Sequence, residues 1–142
     1  MADITLEQAQ GIIRVAFETG TAQGMNPLTV IVLDAGGHVR AFERADGAAP
    51  GRFEIAMGKA YGAVMLGMAG TAQMARAEAQ AYFIAAANGA YGGRLIPVPG
   101  GILVRGADGA VIGAVGVTGD SSDNDAIAGK AGIEAVGLTA EI

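Results

Sequence analysis

Residues 94–125, RLIPVPGGILVRGADGAVIGAVGVTGDSSDND, decide the fold. Pro97 and Pro99 stiffen a lead-in loop that ends in Gly100-Gly101. Ile102-Leu103-Val104 reads as a short strand, and Gly106-Ala107-Asp108-Gly109 as a hairpin turn, because Asp and Gly tolerate the backbone angles a tight reversal needs. Residues 111–118 read as the returning strand. Its Gly113 and Gly116 fall on opposite faces, so that a helix can approach closely on one side and a ligand or subunit on the other. Asp120, Ser121 or Ser122 then caps a helix that runs to about Leu138, with Ala128, Ala131, Ala135 and Leu138 inward.

Outward from this stretch the same grammar repeats. Thr5 and Gln8 form a capping-box pattern, and Leu6, Ala9, Ile13, Ala16 and Phe17 follow at helical spacing, predicting a first helix over about 5–21. Residues 28–33, LTVIVL, are apolar on both alternating faces, as a strand covered on both sides should be. Asp34-Ala35-Gly36-Gly37 is a turn, and residues 38–44 pair back as a hairpin. Residues 52–67 carry an apolar stripe of Phe53, Ala56, Met57, Ala60 and Val64, predicting a second helix. Arg52 and Lys59, seven residues apart, point the same way on it. The glycines at 67 and 70 break it, Thr71 can cap a third helix, and Asn88-Gly89 can stop that one. The path from Gln80 to Ile96 is left open.

The order is helix, β-hairpin, helix, helix, β-hairpin, helix. Two antiparallel hairpins with helices on both faces make a three-layer α/β/α sandwich of the α+β class. A chain of 142 residues fits one domain, 1–142.

Composition narrows the function. Cysteine is absent, which removes disulfides, thiolate metal sites and cysteine nucleophiles together. The net charge is −5 with no basic stripe, so nucleic acid is not an expected partner. No apolar run approaches bilayer length. The start, MADITLEQAQ, shows no basic stretch before an apolar core, so the expected compartment is the cytoplasm. Glycine numbers 24, about twice average usage, and aromatics are 5%, so the core is built from small aliphatic side chains. Such a chain often buries apolar surface between subunits, and an oligomer is expected.

Several residues could carry chemistry. Asp120, Asp123 and Asp125 suit a first helical turn, where carboxylates cap N–H groups and meet the helix dipole. They lack the glycine and distal glutamate of a calcium loop, so no metal site is assigned. The turn Pro97-Val98-Pro99-Gly100-Gly101 can turn backbone N–H groups toward a ligand. Arg44, Arg52, Lys59 and Arg94 can hold a carboxylate or phosphate, with Arg52 at a helix N-terminus. His38, the sole histidine, follows a turn. Met57, Met65, Met68 and Met74 read as flexible core filler.

Five segments together resemble a known family: residues 34–37 (DAGG), 44–48 (RADGA), 56–61 (AMGKAY), 111–119 (VIGAVGVTG) and 122–125 (SDND). In order and nearly spanning the chain, they are similar to the GlcG/HbpS family of haem-binding-like, DUF336-type domains. The resemblance implies a profilin-like fold with a five-stranded antiparallel sheet between helices. It also implies a homo-oligomer, expected between tetramer and octamer. Relatives include a secreted haem-binding sensor partner, the C-terminal domain of a corrinoid adenosyltransferase, and proteins encoded beside small-acid catabolism.

Three functions follow as expectations. The first is a small-molecule-binding or accessory protein of organic-acid or aromatic catabolism. It would hold an anionic or planar ligand in an inter-subunit cleft lined by Arg44, Asp46, Arg52, Lys59, Arg94, Pro99, Gly100, Gly101, Thr118, Asp120 and Asp125. The second is an isomerase, hydratase or lyase acting on a small organic acid by proton transfer, with Lys59 as base and Asp46 or Asp120 as partner acid. The third is a haem or tetrapyrrole binder with His38 or a methionine as axial ligand.

Overall fold

The computed structural model describes residues 3–142; Met1 and Ala2 of the amino-terminal segment read above lie outside the described residues. The chain runs α1 (Leu6–Ala22), β1 (Thr29–Asp34), β2 (Val39–Arg44), α2 (Arg52–Leu66), α3 (Gly70–Ala79), α4 (Ala81–Ala90), β3 (Gly101–Arg105), β4 (Val111–Thr118), α5 (Ser122–Ala135) and β5 (Thr139–Glu141). The strands form one sheet in the order β2-β1-β4-β3-β5, and each neighbouring pair is antiparallel. The two hairpins are joined through β1 and β4, with Thr29 opposite Thr118 and Val32 opposite Val115.

Strand alternation sorts the core into two layers. Val30, Val32, Val115, Val117, Ile102 and Val104 face α1 and α5, where they meet Ile12, Ile13, Ala16 and Ile133. Ile31, Leu33, Leu103 and Ala114 face the other way, onto Ala56, Ala60 and Ala63 of α2. That second interface is built from alanines because the helix lies very close to the sheet. A Cβ on Gly116 would stand 2.0 Å from the carbonyl oxygen of Ala56. Local chemistry starts α1 and ends α2. Thr5 and Gln8 complete the capping box of α1, and the left-handed Gly67 (φ 64°) ends α2.

The structure corrects three expectations and supplies the path left open after Gln80. The third helix begins at Gly70, with Ala69 and not Thr71 as its N-cap. It starts there because a Cβ on Gly70 would meet the Val98 carbonyl oxygen at 2.0 Å, so the helix leans directly on the 97–101 turn. It also divides: Gln80 (φ −143°, ψ 68°) leaves helical geometry and separates α3 from α4. The last helix stops at Ala135, short of Leu138. Gly137 (φ +81°) turns the chain into a fifth strand that pairs with β3. Arg105 fastens this short strand through Glu141 at 2.9 Å. Finally, one face of β4 carries the expected close helix, but the other is not open to a ligand or subunit at its glycine. Gly116 abuts α2, and Gly113 abuts the Leu33 backbone and Ile4.

Candidate functional site

Lys59 is 3% exposed, although it is charged and sits mid-helix in α2. Its Nζ donates to Asp125 Oδ2 at 3.0 Å and to the Val117 carbonyl at 2.9 Å. Asp125 belongs to the first turn of α5, on the opposite face of the sheet. The lysine therefore passes through the end of the sheet, and the 100–101 turn is where it passes. A Cβ on Gly101 would stand 2.4 Å from the Lys59 carbonyl oxygen. One on Gly100 would stand 2.9 Å from Nζ and 2.6 Å from the Val117 oxygen. Gly100 also has φ +107°, a conformation that side-chain-bearing residues rarely adopt.

Asp125 is held from its other side as well, since its Oδ1 accepts the Asp120 N–H at 2.9 Å. Asp120 in turn accepts from the Asn26 N–H at 2.9 Å and from Asn124 Nδ2 at 2.7 Å. Burial pushes the Lys59 ammonium below its ordinary value, against the pull of Asp125 and with help from the nearby positive charge of Arg52. Burial likewise pushes the Asp125 carboxyl up, against the pull of Lys59. Asp120 is held low, chiefly by the Asn26 N–H and then by Asn124 and the Ser121 N–H.

Arg52 stands at the start of α2, where no side chain caps the helix. Its Nη1 donates to Thr118 Oγ1 at 2.7 Å, and no carboxylate pairs with it among the described residues. Thr118 is opposite Thr29 on β1, and Thr29 is opposite Arg44 on β2. Directly opposed residues share a face, so Arg44, Thr29 and Thr118 form one polar row under the first turn of α2. Phe53 packs edge-on against Phe42, with ring centroids 4.9 Å apart, and fixes that turn over the row.

Of the residues singled out in the sequence, Arg52, Lys59, Gly100, Gly101, Thr118, Asp120 and Asp125 form one connected cluster. Arg44 lies in the same row, but its Nη1 is used to hold the Ala48 carbonyl at 2.7 Å. Asp46 sits in the 45–48 turn that Arg44 braces. Arg94 is directed elsewhere: its guanidinium lies 4.0 Å over the Tyr61 ring and donates to Tyr61 Oη at 2.8 Å and to the Tyr91 carbonyl. The acid paired with Lys59 is Asp125, not Asp46 or Asp120. Sequence reasoning missed Thr29, Asn26 and Asn124. Thr29 carried a readable signal, a hydroxyl within an otherwise apolar strand. Asn26, 94 positions from its partner Asp120, carried none.

His38 is on the exposed turn before β2, its Nδ1 3.4 Å from Asp34 Oδ1. Gly37 beside it abuts Met65, Val64 and Tyr61. No helix of the described residues is long and apolar enough to cross a membrane. No group of three or more potential metal ligands occurs among the described residues.

Comparison with known proteins matches residues 4–134 to the family described as haem degrading protein HbpS-like. Among solved structures, the PduOC complex with haem aligns at TM-score 0.85 and 22% identity, covering 96% of this chain and 97% of that one. A double mutant of HbpS from Streptomyces reticuli aligns at TM-score 0.81 and 29% identity, covering 96% and 89%. The ORFY protein of Klebsiella pneumoniae, of the DUF336 family, aligns at 0.83 and 23%, covering 96% and 92%. Comparison with curated proteins finds no match.

Proposed function

Since the chain belongs to the HbpS-like family, we propose that it is a small-molecule-binding or accessory protein of organic-acid or aromatic catabolism, with an anionic ligand held at the start of α2. One observation carries this reading. Arg52, half-buried at an uncapped helix N-terminus, gives a hydrogen bond to a neutral hydroxyl and has no carboxylate partner among the described residues. A guanidinium in that position suits a carboxylate, because its planar fork matches two oxygens and the helix N-terminus adds N–H donors and a favourable dipole. Lys59 supports the site from beneath with buried positive charge. Enclosed by Gly100 and Gly101 and paired with Asp125, it is a positioning group here rather than an exposed base. That counts against proton-transfer chemistry in this conformation.

Assembly with a second copy of the chain is supported by α4. Its ten residues, AYFIAAANGA, carry no charge, it packs chiefly on α3, and it leaves Tyr82 72% exposed. Burying such a face against another copy would remove apolar area from water. A thermal-shift screen of organic acids tests the reading. An acid that raises the melting temperature should lose its effect in Arg52→Ala. A full panel without effect on the wild-type chain would count against it.

The second reading is haem binding, supported by the family and by the surroundings of His38. The Asp34 carboxylate faces Nδ1, so Nε2 is the ring nitrogen that would hold the haem iron. Met65, Val64 and Tyr61 offer apolar and aromatic surface beside it, and Arg94 over Tyr61 could meet the haem carboxylates. Titration with haem would give a Soret shift that His38→Ala removes; no shift at micromolar haem rejects this reading.

A further inference from the structure

The polar atoms around Arg52 are unevenly matched. The acids nearby are satisfied: both oxygens of Asp125 accept hydrogen bonds, from Lys59 and from the Asp120 N–H. Both oxygens of Asp120 accept as well, from Asn26 and Asn124. The donors are not satisfied. Arg52 has a single acceptor, and Thr118, whose oxygen is that acceptor, keeps its own proton to give. The start of α2 has no side-chain cap. Thr29, opposite Thr118 in the sheet, is 0% exposed, and its Oγ1 has no hydrogen-bond partner among the described residues. A buried hydroxyl without a partner is costly and rare. Among the described residues the other unpartnered buried oxygen is Gln73 Oε1, which lies beside Gly62, ten residues along α2 from Arg52.

We propose that Thr29 is the inner contact of a carboxylate site whose outer contact is Arg52. This rests on the anionic-ligand reading above and deepens it. Arg52 can only donate, and the hydroxyls of Thr29 and Thr118 can donate as well as accept, so the partner that suits all three is an acceptor, and a carboxylate supplies two acceptor oxygens on one small planar group. Thr118 is 1% exposed and Thr29 is enclosed, so the ligand reaches them by taking the Arg52 guanidinium away from Thr118 Oγ1. One carboxylate oxygen then stays with Arg52 while the other accepts from the hydroxyls of Thr118 and Thr29. Arg52 thus covers the site when it is empty and clamps the ligand when it is filled.

The probes are sodium acetate, malonate and benzoate, each titrated against chloride at matched ionic strength, with melting temperature and apparent affinity as readouts. In the wild-type chain at least one probe should raise the melting temperature, and Arg52→Ala should lose that shift. Thr29→Val should bind the same probe at least tenfold more weakly while melting higher than wild type without it, because the unmatched hydroxyl is gone. Thr29→Ser should recover the binding, and Thr29→Ala serves the same comparison if valine packs poorly. If Thr29→Val binds the probe as wild type does while Arg52→Ala does not, the role of Thr29 is wrong and the anionic site stands. If no probe shifts the wild-type chain, the anionic reading falls and this inference falls with it.

Discussion

Lys59 Nζ and Asp125 Oδ2 stand 3.0 Å apart although their helices lie on opposite faces of the sheet. The contact exists because the chain bends around it at Gly100 and Gly101, where any side chain would strike the lysine. Their side chains are 4% and 1% exposed, so neither charge can find water if its partner is removed.

Lys59→Met should therefore destabilise the protein by about 3–5 kcal/mol, the usual cost of stranding one member of a buried pair. Lys59→Met with Asp125→Asn should recover part of that loss, since the asparagine is neutral and its oxygen can still accept the Asp120 N–H. Urea unfolding of the three proteins checks this. A double variant as unstable as the single one would mean that packing, not charge, is at stake.

The same pair shapes the pH dependence. Asp125 has its pKa raised above 3.8 by burial, so between 3.8 and the folded value the native state binds the extra proton. Its contribution is fully present below 3.8 and is lost as pH rises through the folded value. Lys59 has its pKa lowered below 10.5, so its contribution is present above 10.5 and is lost as pH falls through the folded value. Wild type should thus gain stability relative to Asp125→Asn as pH falls through the carboxylate range. Asp34 and Asp120, both lowered, oppose this in the wild-type curve taken alone. Comparing melting temperatures of the two proteins at stepped pH isolates Asp125. A difference that does not change with pH would contradict the assignment.

Gly100 and Gly109 separate strain from collision. Both have positive φ, +107° and +83°, but a Cβ on Gly109 meets nothing within 4 Å. Gly109→Ala should cost about 1 kcal/mol of backbone strain, whereas Gly100→Ala should cost roughly 3 kcal/mol or more, because it adds a clash with Val117 and Lys59. Equal losses in denaturant titrations would show that the 100–101 turn can move aside.

Thr5→Ala removes one half of the α1 capping box, the acceptor for the Gln8 N–H at 3.0 Å. A loss of about 1 kcal/mol is expected, with no change in any ligand-induced shift, since α1 lies on the far side of the sheet from Arg52. Melting with and without acetate reads both quantities.

How much of this was readable follows physical lines. Both hairpins and the helices over them announced themselves through short-range signals: Asp-Gly turns, the Thr5–Gln8 box and apolar periodicity. The fifth strand escaped that reading because three residues, Thr139–Glu141, are too short for a period, and their pairing depends on distant Arg105. The site was legible where residues share a helix face, as Arg52 and Lys59 do. It was illegible where the partner is fixed by tertiary packing, as Asp125 is for Lys59. The seat of Arg94 was not legible from charge alone, because its position is set by the neighbouring Tyr61 and Tyr91 rings.

Helix α4 has its principal neighbour in α3, and the two meet at the non-helical Gln80. Segments with few anchors open by themselves while a central sheet stays closed. Backbone amides of residues 81–90 should therefore exchange with deuterium well before those of β1 and β4, and assembly of copies through α4 would slow them selectively. Amide exchange along one helix would then record the encounter between subunits.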